Sequence, residues 1–349
     1  YIAEVSPADR RGRLVTLNQT AIITGILAAY VIAYFLADTG PANWRWMFGL
    51  AAIPALGLWI ALLFVPESPR WLVKQGRKDE AFAVLSRIGG RLHAGSELKE
   101  IEEAAAAEVE LALSQLFRPG LRTALVIGVA LAIFQQVTGI NTILYYAPAI
   151  FLKAGYSSEA NAFLASLAVG AVNFVFTLIA LGVIDRLGRK PLLLVGSGGM
   201  AVSLALLGTT LRFQGESSPF LLPAILCYVA FFAVGLGPVV WLLLSEIFPT
   251  RIRGRAMSLA TISLWIACFI VSLTFLSLVN ALTMAGAFWL YAVLCAVTFV
   301  FVWRVIPETR GKSLEEIERS WRSRSAPAGK SPDLTGAPST MGPGRPGPP

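Results

Sequence analysis

Apolar residues in this chain fall in long unbroken blocks separated by short polar segments, without the alternation of a half-buried strand. Eight blocks stand out, at about 14–37, 45–65, 121–151, 160–184, 191–211, 220–244, 257–279 and 285–305. About 20 apolar residues suffice to carry a helix through a bilayer. Periodicity alone does not separate buried core from membrane helix, so length and flanking charge decide the matter. The pattern predicts an all-α integral membrane protein with eight spans.

The polar segments differ from one another in a regular way. One set holds Arg10, Arg11 and Arg13; Arg70, Lys74, Arg77 and Lys78; Arg186, Arg189 and Lys190; and Arg251, Arg253 and Arg255. The alternate set is ADTGPAN at 37–43, a loop with only Lys153, a loop with only Arg212, and NALTM at 280–284. Positive charge concentrates on the cytoplasmic side of membrane proteins. The first set therefore reads as cytoplasmic, and both chain ends come out on that side.

Composition agrees. The chain is 56% hydrophobic and only 14% charged, where a soluble domain would carry roughly a quarter charged residues. The net charge of +8 suggests no nucleic-acid partner, because the basic residues sit in the short loops. Cys227, Cys268 and Cys295 all lie inside apolar blocks, where they read as small packing residues, not as a disulfide framework or metal site. No nucleophile motif or phosphate loop stands out, and GSGGM at 196–200 reads as close helix packing. An enzyme is the class least expected.

Between the second and third spans, 66–119 reads as a polar linker of short amphipathic helices, KDEAFAVLSRIGG and SELKEIEEAAAAEVELALSQLF, with breaks at glycines. The expected organisation is 1–65, 66–119 as cytoplasmic linker, 120–306 as a six-helix half, and 307–349 as a tail. From about residue 325 the tail is Pro-, Gly- and Ser-rich and reads as disordered.

Two cytoplasmic stretches repeat. EVSPADRRGR at 4–13 is echoed by EIFPTRIRGR at 246–255, and PESPRWL at 66–72 by PETRGKSL at 307–314. Two spans lie between EVSPADRRGR and PESPRWL and two between EIFPTRIRGR and PETRGKSL, but four spans stand between the linker and EIFPTRIRGR whereas none precedes EVSPADRRGR. The repeat predicts a six-helix unit, with four helices of a twelve-helix architecture missing from this chain. Parallel repeats of this kind are one building plan of secondary transporters.

Polar side chains inside spans are costly unless they face a bundle interior or an aqueous cavity. The third span holds Gln135, Gln136, Thr138, Asn141, Tyr145 and Tyr146. Single amides serve as interhelical glue, but amides and aromatics clustered together point to a ligand site. On a regular helix Gln136 and Asn141 diverge by roughly 140°, so they can meet one ligand only if the helix is irregular near Gly139. Asn18 and Gln19, Asn173, Gly237 with Trp241, and Trp265 add sparser polar or aromatic positions. Gly237 and Trp241 share a helix face, where the glycine leaves room and the indole offers a flat apolar surface with one N–H. No Lys, Arg, Asp or Glu lies mid-span. That lining suits a neutral, hydroxyl-rich cargo.

The sequence resembles the sugar porter family of the major facilitator superfamily. The resemblance is carried by EVSPADRRGR, PESPRWL, QQVTGINTILYYAP at 135–148, DRLGRK at 185–190, GPVVWLLLSEIFPTRIRGRA at 237–256 and PETRGKSLEEIE at 307–318. It implies the major facilitator fold, with eight of twelve transmembrane helices present. It implies sugar contacts at Gln19, Gln135, Gln136, Asn141, Asn173, Gly237 and Trp241, with Trp265 near the cavity floor. Tyr145 and Tyr146 match an extracellular-side gate. Glu4, Arg11, Asp185, Arg189, Glu246 and Arg253 match a cytoplasmic charge network that forms when that side closes. Leu264 stands where many members have Asn or Gln, and Ile26 resembles hexose-type members.

The expected function is transport of a neutral, hexose-like sugar across the cell membrane by alternating access. Many bacterial members are symporters, so a proton is the expected coupling ion, with no cofactor and no obligate protein partner. In the family the proton-carrying carboxylate belongs to the first helix, which this chain lacks. The alternatives are a transporter-derived sugar sensor and a non-transporting fragment.

Overall fold

The computed structural model describes residues 11–107, 121–156, 158–215, 218–248 and 253–308. Within them every regular element is helical: α1 (Arg11–Leu36), α2 (Asn43–Leu50), α3 (Ala52–Leu62), α4 (Pro69–Lys74), α5 (Lys78–Ala107), α6 (Leu121–Val137), α7 (Ile140–Lys153), α8 (Glu159–Leu187), α9 (Arg189–Gln214), α10 (Leu221–Val234), α11 (Leu236–Ile247) and α12 (Arg253–Val305).

Six stretches among the described residues are long and apolar enough to cross a membrane: Asn43–Leu62, Arg122–Lys153, Glu159–Leu187, Arg189–Gln214, Leu221–Ile247 and Gly254–Val305. Of α1, Thr20–Leu36 is apolar but shorter. The last stretch has 52 residues, about 78 Å at 1.5 Å per residue, against a hydrocarbon core of about 30 Å. It is interrupted inside the predicted NALTM loop, where Thr283 turns to φ 67°, ψ 168°. The Thr283 hydroxyl accepts from the Gly286 N–H at 3.4 Å, so it caps the helix that follows. The blocks read at 257–279 and 285–305 lie on either side of this break.

Small residues let the helices approach closely. A Cβ on Gly196 of α9 would stand 2.7 Å from the Gly235 Cα, backbone against backbone. Further along α9, a Cβ on Gly208 would meet the Trp289 ring at 2.5 Å and the Ala285 carbonyl at 2.9 Å. The sequence reading of GSGGM as a packing motif therefore holds. On α12, Ala256, Ala260, Leu264 and Cys268 are all buried, and the spacing of four puts them on one face.

The remaining helices attach to this bundle unequally. α1 docks on α8, with Tyr30 and Leu27 over Gly170, and the Tyr30 hydroxyl donates to the Leu144 carbonyl on α7. α2 and α3 bury no residue. Their large side chains, among them Trp46, Phe48, Trp59 and Leu62, are exposed, as apolar residues facing hydrocarbon would be. The Asn43 amide reaches the Glu159 carboxylate at 3.3 Å, tying the start of α2 to the start of α8.

The segment after α3 builds a small core of its own from Leu72, Val73, Ala81, Val84, Leu85, Ala94 and Ile101. α4 starts at Pro69 behind a Ser68 cap that accepts from the Trp71 N–H. The expected Gly-Gly break is present as Gly90 at φ 82°, whereas Gly95 continues the helix. Two hydrogen bonds from the Arg77 guanidinium, each 2.7 Å, hold the Glu80 carboxyl below its ordinary value.

Candidate functional site

The site begins with a helix that stops and restarts. α6 ends at Val137, Gly139 adopts the left-handed conformation (φ 92°, ψ 13°), and α7 starts at Ile140. Only glycine takes that conformation without steric cost. Space demands glycine as well, since a Cβ would meet the Tyr291 ring at 2.9 Å. The carbonyl at the end of α6 is not left unpaired, because the Tyr228 hydroxyl donates to the Thr138 oxygen at 2.9 Å. This is the irregularity that the positions of Gln136 and Asn141 called for.

Its consequence is direct. Asn141 Nδ2 donates to Gln136 Oε1 at 2.7 Å and to Cys268 Sγ at 3.1 Å. Two amides that a regular helix would point about 140° apart therefore meet. Gln135 turns to α11, donating from Nε2 to the carbonyls of Leu236 at 2.8 Å and Gly237 at 3.1 Å. Its Oε1 is buried with no hydrogen-bond partner. A buried acceptor left unmatched is costly, and a ligand hydroxyl placed there would satisfy it.

These bonds assign chemistry to each amide. Gln135 has both N–H groups committed and offers only an acceptor. Gln136 has its oxygen bonded to Asn141 and offers its N–H donors, while Asn141 offers its carbonyl oxygen. A cluster of neutral donors and acceptors with no formal charge suits hydroxyl groups, which both give and accept hydrogen bonds.

The other expected residues are placed as follows. Gly237 and Trp241 lie one turn apart on α11, the first buried and the second half-buried against the core. Asn173 is buried on α8. Trp265 is 56% exposed, whereas its neighbour Leu264 is buried, so the indole is not gathered into the amide cluster. Gln19 falls on α1, but its side chain lies outside the described residues. Tyr146 donates to the Ser272 carbonyl at 3.1 Å and packs its ring at a tilt against Phe275, with centroids 5.1 Å apart, joining α7 to α12. Tyr145 is exposed.

At the arginine-rich end of the bundle, Arg189 bonds Glu246 at 2.8 Å and Asp185 at 3.2 Å. Arg189 and Glu246 are largely covered, with side chains 12% and 19% exposed, while Asp185 is 82% exposed. Three of the six charged residues expected there, Asp185, Arg189 and Glu246, thus meet. Glu4 and the side chains of Arg11 and Arg253 lie outside the described residues.

Sequence reasoning missed two participants. Glu308 accepts from the backbone N–H groups of Arg189 and Lys190 at 3.1 and 3.0 Å, closing the start of α9, where a helix favours negative charge. Its signal was present in the PETRGK echo, but no partner could be read from it. Cys268 reads in the sequence as a small packing residue, since nothing in the chain marks which amide a thiol will meet.

The family model described as sugar (and other) transporter matches residues 1–321. The chain belongs to this family. Its members are transporters, not enzymes. The arabinose-proton symporter of Bacillus subtilis (strain 168) is 43% identical over 327 residues, covering 92% of this chain and 70% of that protein. The D-xylose-proton symporter of Escherichia coli (strain K12) is 41% identical over 333 residues, covering 92% of this chain and 67% of that protein. A solved structure of the major facilitator superfamily proton:xylose symporter XylE bound to 6-bromo-6-deoxy-D-glucose is similar at a TM-score of 0.72 and 40% identity, over 92% of this chain and 69% of that one. The fold is the all-helical one of that superfamily.

Proposed function

We propose that this chain carries the sugar site and the inner charge lock of a proton-coupled monosaccharide transporter working by alternating access. The observation that carries the reading is the Gln135–Gln136–Asn141 cluster built by the break at Gly139, with an unmatched buried acceptor on Gln135. The cargo is a neutral five- or six-carbon sugar, hexose-like in its preferred form. The relatives named for arabinose and xylose and the structure with a bound glucose derivative support that range.

In this reading the arginine-rich loops and the tail face the cytoplasm. Residues 120–306 form one half, 66–119 the linker, and 1–65 part of the other half, with eight spans in all. The sugar sits against Gln135, Gln136, Asn141, Asn173, Gly237 and Trp241, with Gln19 completing the site from α1 and Trp265 beneath it. Tyr145 and Tyr146 close over it from outside. Inside, the Arg189–Glu246–Asp185 network, with Glu4, Arg11 and Arg253, holds the closed state and opens to release the sugar. An interaction made in only one of two states biases their equilibrium, which alternating access requires.

Among the described spans, carboxylates occur only at the ends, at Glu159, Asp185 and Glu246. The proton therefore exchanges elsewhere than at mid-span in these residues. The test is uptake of radiolabelled D-glucose, D-xylose and L-arabinose, with and without a protonophore. It is run on cells expressing this chain and on cells expressing the whole reading frame that contains it. Protonophore-sensitive uptake of at least one sugar is expected; uptake of none by either form overturns the reading.

A further inference from the structure

Asn141 is held by two unequal acceptors. One of its N–H groups goes to an amide oxygen, Gln136 Oε1, at 2.7 Å, and the other contact is to the sulfur of Cys268 at 3.1 Å. Sulfur is a weak hydrogen-bond acceptor and an amide oxygen a good one. The bond that a ligand can take over is therefore the one to the thiol. Cys268 is 5% exposed and lies one turn beyond Leu264 on the buried face of α12. The Tyr145 phenol, one turn along α7 from Asn141, also lies against the thiol. One sulfur thus touches a site amide and a neighbouring tyrosine on the same helix.

We propose that Cys268 is a positioning and affinity-setting residue for sugar binding. It parks the second Asn141 N–H on an acceptor weak enough for a sugar oxygen to displace. This rests on the proposed sugar site and deepens it, by naming which N–H the ligand recruits and what holds that group beforehand. Four residues on from Leu264, Cys268 supplies a group that orients Asn141 without competing strongly for it.

The test uses equilibrium binding of D-glucose, D-xylose and L-arabinose to the purified full chain, read by tryptophan fluorescence, with thermal unfolding as a check on folding. Cys268→Ser places a stronger acceptor opposite Asn141 and is expected to raise Kd about threefold or more, the effect of one modest hydrogen bond. Cys268→Ala removes the competitor and is expected to leave Kd equal or lower. In an Asn141→Ala background, both substitutions should leave Kd unchanged, because the thiol acts only through that amide. Among mono-deoxy sugars, the one lacking the oxygen that Asn141 recruits should bind with a Kd indifferent to Ser or Cys at 268. A Cys268→Ser effect that persists undiminished without Asn141, or equal Kd values for Cys, Ser and Ala, overturns the proposal. No binding of any sugar by the folded, unsubstituted chain instead overturns the sugar-site reading beneath it.

Discussion

Gly139→Ala tests the central claim that a helix break builds the site. Two costs add. An L-residue held in the left-handed region loses about 1–2 kcal/mol. The new methyl would also stand 2.9–3.1 Å from three atoms of the Tyr291 ring. Overpacking of that kind costs roughly 1–3 kcal/mol, because the ring is buried and its hydroxyl faces Thr142 at 3.4 Å. The chain then has two options. It can keep the break and become less stable by about 2–5 kcal/mol, the sum of the two terms. Or it can straighten through residue 139, which swings Asn141 by roughly 140° away from Gln136 and removes the sugar contacts proposed for it.

Both options are measurable on one sample. Thermal unfolding reports the first, and sugar Kd by tryptophan fluorescence reports the second. Loss of two neutral hydrogen bonds at about 1–1.5 kcal/mol each corresponds to a Kd raised at least ~30-fold. Gly40→Ala serves as the control. Gly40 also has positive φ, at 109°, but a Cβ there meets nothing within 4 Å. It should lower stability by about 1–2 kcal/mol through backbone strain alone and leave Kd untouched. If Gly139→Ala matches the control in both readings, the break is not what organises the site.

Three further outcomes are expected. Arg189→Ala leaves the largely covered Glu246 without the guanidinium it now bonds, and should lower the unfolding temperature by the equivalent of about 1–3 kcal/mol after allowing for solvent screening. Arg189→Lys should recover part of that, and sugar Kd should change little, since the network lies at the other end of the bundle from Tyr146. Gly196→Leu drives a side chain into the Gly235 backbone and should reduce folded yield and unfolding temperature, whereas Gly182→Leu, with nothing within 4 Å, should be neutral. Because Gln135 offers only an acceptor, a sugar hydroxyl bound there as proposed must donate. At that position a deoxyfluoro sugar should bind as poorly as the deoxy sugar, about fivefold or more weaker than the parent, while opposite the Gln136 N–H donors fluorine should outperform hydrogen.

What was legible in the sequence follows from which forces act locally. Apolar block length sets helix position in a bilayer, so the ends of α8, α9 and the α10–α11 pair fall within a few residues of those read from composition. Gly139 was legible for a different reason. Two amides five residues apart cannot share a face of a regular helix, so chemistry predicted the break before geometry displayed it. Gly235 carried no such conflict. It interrupts the sixth apolar block between α10 and α11 at φ −103°, ψ −94°, and Leu-Gly-Pro after it was read only as room for a ligand. The close approach of Gly196 to Gly235 is a property of two helices 39 positions apart (196 to 235), which no single span reveals. Cys268 failed in the same way, since its partner lies 127 residues off. Thiols in apolar spans usually do pack as small hydrophobes. Glu246 shows how far a local reading goes: its charge at a helix end announces an ion pair, and Arg189, one residue it pairs with, is reached across the bundle from another helix. Charges near helix ends announce that a lock exists, but which ones close on each other is decided by how the helices cross.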